Sequence, residues 1–194
     1  MNHQSHAQPE TRRAAFKSFQ ESTREDWALI MDHLPDTQNM VADNALHLLR
    51  LLESDHGGFP VTRLEHSLQT ATRAQRDGRD DEYVVCALLH DIGDTLAPYN
   101  HPYIASTMVK PFASEANHFM VAQHGIFQGY YFWHHIGLDR EAREAFRDSP
   151  YFEYTEEFCA KYDSPAFDPD YRSEPLEHFE PLVRRFFADR RRPQ

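Results

Sequence analysis

CALLHDIGDTL, residues 86–96, places a histidine and an aspartate side by side at the end of an apolar run. Such a run carries His90 and Asp91 into the interior with it. A buried charge is stable there only when it is paired or bound to a metal. The fold of the chain therefore turns on what stands opposite these two residues.

The residues on either side read as helices. Upstream, Thr62 with Glu65 three positions on is a capping-box signal, and the helix it opens carries Leu64, Leu68 and Ala71 on one face. RDGRDD is a turn centred on Gly78, and the next helix runs through Tyr83, Val84, Ala87 and Leu88, with Gly93 as its expected C-cap. Downstream, Asn100 and Pro102 open another helix, Pro111 closes it, and Ser114 caps a longer one through Met120 and His124 toward Trp133. Helices are also expected at 139–147, at 153–162 and after Pro175, separated by a Pro-, Asp- and Ser-rich loop over 163–174. Near the start, NMVADNALHLLRLLE puts Met40, Ala45, Leu48, Leu49 and Leu52 on one face. No segment alternates with period two for long, so the fold class is all-α. Residues 1–23 are polar and aperiodic and read as a mobile N-terminal tail, leaving one domain over 24–190.

Two turns bring histidines level. His66 and His90 lie at equal distances from Gly78, so an antiparallel hairpin sets them side by side. His101 and His124 have their midpoint between Phe112 and Ala113, beside Pro111, and the same reasoning pairs them. Four imidazoles and Asp91 form a metal constellation, and N/O ligands without thiolates suit Fe, Mn, Co or Zn. Asp163, at the end of EEFCAKYD, is the candidate for a further carboxylate, and His118 is the rival to His124.

Composition narrows the class of function. The formal net charge is −11, and the one basic cluster, RRFFADRRR, reads as a solvated helix end, so a nucleic-acid partner is not expected. No apolar stretch reaches the ~18–20 residues of a membrane span, and the first residues lack a signal-peptide core. Cys86 and Cys159 sit in helical patterns and do not suggest a disulfide. A cytoplasmic monomer or weak homodimer acting on a small molecule is the expectation. Seven glycines and no G-x-G-x-x-G run argue against a phosphate cradle.

LEHSLQTA followed by ALLHDIGDTL resembles the H…HD signature of the HD-domain superfamily, an all-α metal-binding fold. With NHPYIAS, AQHGIFQGYYFWHH and FCAKYD in order, residues 45–190 resemble more closely the HD-domain mixed-valence diiron oxygenases, which include the phosphonate-cleaving oxygenases and myo-inositol oxygenase. The resemblance implies an HD-domain helical bundle with a buried dinuclear site. His66, His90, Asp91 and Asp163 would hold one iron, and Asp91 would bridge to a second iron held by His101 and His124. It implies an Fe(II)/Fe(III) pair, O2 as co-substrate, and oxidation with cleavage of a small hydroxylated polar substrate, foremost an organophosphonate. An HD-type phosphohydrolase acting on a nucleotide or phosphomonoester is the alternative, and a non-catalytic metal-dependent scaffold is a third.

The lining departs from those relatives. Asp94 stands where myo-inositol oxygenase has a lysine. Gln128 and Ala160 stand where a phosphonate oxygenase has a lysine and an arginine, and His56 and Phe59 where it has a metal-gating tyrosine and an amine-binding glutamate. Arg63, Lys161 and Arg172 are the basic residues that can substitute as anion clamps. In GIFQGYYFWHH, Phe127, Tyr130, Tyr131, Trp133 and His134 read either as an aromatic substrate wall, suited to a quaternary ammonium group, or as core. The substrate-binding candidates are thus His56, Phe59, Arg63, Asp94, Gln128, Tyr131, His134 and Lys161.

Overall fold

The turn from Gly78 to Tyr83 shows how local chemistry sets the frame. Gly78 takes a left-handed φ of 81° at the turn, and Asp80 then accepts a hydrogen bond from Tyr83 N at 2.8 Å to start a new helix. Each helix of the computed structural model, which describes residues 12–54 and 57–188, begins from choices of this kind. The helices are α1 (Arg24–Leu51), α2 (Arg63–Arg76), α3 (Asp81–Leu89), α4 (His101–Val109), α5 (Glu115–Phe132), α6 (Phe152–Phe158) and α7 (Leu176–Ala188). Three-ten turns join several of them, and a π turn over Cys159–Asp163 extends α6. There is no strand among the described residues, so the chain is all-α. No helix among them is long and apolar enough to cross a membrane.

The chain forms two compact units, Met1–Val41 and Ala42–Gln194. In the first, residues 1–11 of the expected tail lie outside the described residues. Phe16, Phe19 and Trp27 cluster there with ring centroids 5.8–6.4 Å apart. Asp26 caps the start of α1 by accepting from Thr23 N at 3.0 Å.

The second unit holds the core. Every residue from Tyr83 to Asp94 is buried, so α3 is its central helix. α2 packs against α3 as an antiparallel hairpin, α4 and α5 form a second hairpin, and α6 and α7 close the rest. Phe127, Phe152, Phe158 and Phe179 are fully buried, each burial contributing about 1.5–3 kcal/mol. The capping box at α2 is complete: Thr62 Oγ1 accepts from Glu65 N at 3.0 Å, and Glu65 accepts from Thr62 N at 2.8 Å. In α1 and the three-ten turn that follows it, Ala45, Leu49 and Leu52 face inward as expected, but Met40 is exposed and Leu46 takes an inward place. The segment expected as a helix at 139–147 is a three-ten turn over Arg140–Phe146.

Two predicted caps are corrected. Asn100 makes no side-chain cap bond at α4. Gly93 is not a left-handed C-cap, because α3 already ends at Leu89 and Gly93 does not have positive φ. Its reason is space: a Cβ there would lie 2.7 Å from His101 O and 2.9 Å from Ile104 Cβ. The missing side chain lets the start of α4 close on the HD segment.

Candidate metal centre

Four imidazoles converge from four places on the two hairpins. His66 lies in α2, His90 at the end of α3, His101 at the start of α4 and His124 in α5. Nε2 of His66 and Nε2 of His90 are 3.1 Å apart, and those of His101 and His124 are 3.3 Å apart. Asp91 lies between the pairs. Its Oδ2 is 3.4 Å from His66 Nε2 and 3.6 Å from His90 Nε2, while its Oδ1 is 3.2 Å from His101 Nε2 and 3.1 Å from His124 Nε2. One oxygen of a single carboxylate thus faces each pair. Asp163 closes the first group, with Oδ1 3.2 Å from His66 Nε2 and 3.6 Å from His90 Nε2. Its position is fixed from behind. The π turn that ends on it is tied to the α2–α3 turn by Arg79, which donates to Tyr162 OH at 2.9 Å.

The tautomers follow from the carbonyls behind each ring. Nδ1 faces Ala166 O in His66 (3.1 Å), Ala87 O in His90 (2.7 Å), Pro98 O in His101 (2.7 Å) and Val121 O in His124 (2.8 Å). A carbonyl only accepts, so each Nδ1 carries the proton and each neutral ring turns a bare Nε2 lone pair inward. With all four rings neutral, lone pairs face lone pairs and carboxylate oxygens across about 3 Å, an arrangement that repels itself unless protons or cations lie among them. Asp163 Oδ2 is buried without a hydrogen-bond partner, a further acceptor awaiting a cation. The donors fall into three overlapping groups, His66, His90 and Asp163, then His90, Asp91 and His124, then Asp91, Asp94 and His101. Divided by the two oxygens of Asp91, they fit two metal ions, His66, His90 and Asp163 with one oxygen and His101 and His124 with the other. No cysteine is among these donors, and Cys159 Sγ donates to His124 O at 3.5 Å.

The same electrostatics appear in the proton affinities. Burial opposes a charged His90, yet the carboxylates of Asp91 and Asp163 raise its pKa to about 9. Burial likewise opposes a charged Asp91, but His90, the hydrogen bonds of His101 and His124, and Arg63 hold its carboxyl well below the ordinary aspartate range. Asp163 is lowered against its burial by His66 and His90. Without metal, these carboxylates favour protons on His90 and His101 in place of cations.

Around the cluster stand some of the candidate substrate residues. Arg63 binds Asp94 through Nε and Nη2 and reaches within 3.5 Å of Asp91 Oδ2. Asp94 is raised by burial and by the charge of Asp91, against the pull of Arg63 and His101. Gln128, one turn beyond His124, donates from Nε2 to Asp163 Oδ1 at 3.0 Å. Phe59 is 45% exposed and stacks on Phe167 at 5.2 Å, and the Arg63 guanidinium lies 4.8 Å from its ring centre.

Others make the following contacts. Lys161 is exposed and bonds Glu157 at 2.7 Å along its own helix turn. His134 is exposed, stacks on His135 at 3.9 Å, and lies ten residues past His124, roughly 15 Å along a helical path. Tyr131 is half-buried against Tyr130, and burial pushes its hydroxyl pKa up. Phe127 belongs to the core with Phe152, and Tyr130 is covered by Arg140 and Arg143. His56 lies outside the described residues. His118 is half-buried in the first turn of α5, and His124 is the α5 histidine in the cluster.

Sequence reasoning missed Phe167. It lies in the stretch read as a loop, yet its ring stacks on His66 at 4.2 Å with an 18° interplanar angle, and the neighbouring Ala166 carbonyl fixes the tautomer of His66. A loop has no periodicity to reveal such a contact. The only signal available was that an aromatic residue follows Asp163 closely.

Comparison with known proteins agrees with this geometry. The HD domain family matches residues 63–157, a little under half of the chain and the segment that carries His66, His90, Asp91, His101 and His124. A protein of Leisingera caerulea, [1-hydroxy-2-(trimethylamino)ethyl]phosphonate dioxygenase (glycine-betaine-forming), is 39% identical over 64 residues. That similarity covers 30% of this chain and about a third of the relative's length (33%). The helical architecture and the buried histidine–aspartate cluster agree with this match of residues 63–157 to the HD domain.

Proposed function

We propose that this chain is a non-haem diiron oxygenase that uses O2 to oxidise and cleave a small hydroxylated organophosphonate. The observation that carries the reading is the division of Asp91, one oxygen toward His66 and His90 and the other toward His101 and His124. A mononuclear centre has no use for that division. A pair of irons bound there would supply one-electron chemistry with O2 that side chains cannot perform. The phosphonate dioxygenase relative supports the substrate class.

The protein's own part is orientation, charge and exclusion of water. Asp163 is held by Gln128, and the imidazoles are held by backbone carbonyls, so the ligands are fixed before metal arrives. Asp91, Asp94 and Asp163 set three negative charges against the one positive charge of Arg63. Two divalent or more highly charged ions outweigh that balance, leaving a positive centre that attracts a dianionic phosphonate without a lysine clamp. Phe167 covers His66, and Phe59 extends that apolar cover toward solvent.

The test is iron content per chain in anaerobically purified protein, followed by EPR after partial oxidation. Two irons, a coupled half-spin signal perturbed by an added α-hydroxyphosphonate, and O2-dependent release of phosphate are expected. One divalent ion, or two with no iron, together with phosphate release that needs no O2, would make the chain a phosphohydrolase.

A further inference from the structure

Among the described residues, the four inward-facing imidazoles are not supported alike. His66, His90 and His124 turn Nδ1 toward a backbone carbonyl. His101 Nδ1 likewise has its hydrogen bond to a carbonyl, Pro98 O at 2.7 Å, but a carboxylate oxygen, Asp94 Oδ1, lies in addition 3.0 Å from the same nitrogen as a charge contact. The other oxygen of Asp94 is occupied by Arg63. Asp94 is buried, and its backbone N–H donates to Asp91 O at 2.9 Å, so a tight turn fixes its place relative to the shared carboxylate. Gly93 brings the partner to it, since a side chain there would push the start of α4, and His101 with it, away. Asp94 therefore faces two protein partners, one at each oxygen.

A carboxylate behind a metal-binding imidazole locks its ring and raises its basicity. We propose that Asp94 is a positioning residue for the second metal, acting through His101, and that it makes the His101–His124 half of the centre competent to bind its ion. Arg63 neutralises the remaining charge of Asp94 and does not carry the effect. The proposal rests on the dinuclear reading above and assigns one residue to one half of it.

The experiment is a Zn²⁺ titration of metal-free protein against a competing chelator, with histidine ¹⁵N shifts showing which imidazoles bind. Wild type is expected to take two ions. Asp94→Asn is expected to keep the ion at His66 and His90 and to bind the one at His101 and His124 about 10–100-fold more weakly. Arg63→Met, which also loses the contact with Asp91, should shift the two affinities together rather than weaken the second alone. A wild type that takes fewer than two ions refutes the dinuclear reading itself. A wild type that takes two, with unchanged affinities in Asp94→Asn, refutes only the role of Asp94. Recovery of the second ion in the double variant Arg63→Met/Asp94→Asn also overturns it, by moving the effect to Arg63. Should Asp94→Asn fail to fold, the Zn²⁺-loaded wild type decides: the His101 Nδ1 proton should resonate downfield of the other three, and a shift within their range overturns the proposal.

Discussion

Asp91 is the residue on which both halves of the centre depend, and its replacement has a sharp consequence. Asp91→Ala removes an oxygen from each donor set, so metal analysis should find neither ion retained at stoichiometric level; one tightly held equivalent would show that Asp91 does not bridge. His124→Ala should empty mainly the second position, and retention of both ions would move the assignment to His118. Protons offer a second check. In metal-free protein the folded pKa of His90 is raised from the ordinary 6.5 to about 9 by Asp91 and Asp163, against the cost of burial. A raised pKa stabilises the fold fully below 6.5, and that contribution is lost as pH rises through about 9. The lowered carboxyls of Asp91 and Asp163 act in the opposite sense: their contribution is present above the ordinary aspartate value of 3.8 and disappears as pH falls below it. The melting temperature of the metal-free protein should therefore be highest between those limits and fall on both sides. A flat profile from pH 6 to 9 would contradict the charge arrangement around His90. At this scale the sequence was informative about ligands, because adjacency of His90 and Asp91 and symmetry about the breakers are one-dimensional properties. It was uninformative about support. Arg63 and Asp94 are 31 residues apart, and no periodicity links them.

At the scale of elements, the hairpins explain why the histidine spacing was readable. In an antiparallel pair, residues equidistant from the turn come level, and the turn residues Gly78 and Pro111 announce themselves. What fails to announce itself is how closely two elements approach. Gly93 looks like a helix terminator by type, but it serves as a gap into which the first turn of α4 fits. Gly93→Ala places a methyl group against the His101 backbone, and overpacking of that kind costs about 1–3 kcal/mol. The variant should melt lower and bind the second metal ion more weakly than the first, read by thermal denaturation and metal titration together. Removing the cap at the other hairpin makes a useful contrast. Thr62→Ala should cost about 1 kcal/mol by leaving the Glu65 N–H without its side-chain acceptor, with metal stoichiometry unchanged. If Gly93→Ala behaves as Thr62→Ala does, losing stability alone, the close approach does not position His101.

At the scale of the whole second unit, the segment after the π turn is the part that periodicity could not describe. Residues 166–178 run back along α2, with Gln69 donating to Asp168 O at 2.8 Å, Glu174 N donating to Thr72 Oγ1 at 3.0 Å, and His178 Nε2 2.8 Å from Gln75 Oε1. This strap brings Ala166 and Phe167 over His66, so chain closure and the metal centre share the same contacts. Metal binding must then stabilise the fold as a whole. The metal-free centre contains two pairs of imidazole nitrogens about 3 Å apart that only protons hold together, and cations would replace those protons with bonds from α2, the end of α3, α4, α5 and the π turn. Ligand linkage gives the scale: a metal bound only by the native state adds about 2.7 kcal/mol at a concentration 100 times its dissociation constant. Thermal denaturation with increasing Fe²⁺ under anaerobic conditions should show a rising midpoint, and a chelator should reverse it. Phe167→Ala should retain the helical content but reduce the metal-dependent rise, because the ring that holds His66 in place is gone. An equal rise in that variant would mean that the strap covers the centre without shaping it, and no rise in wild type would mean that the cluster is held together by its protons.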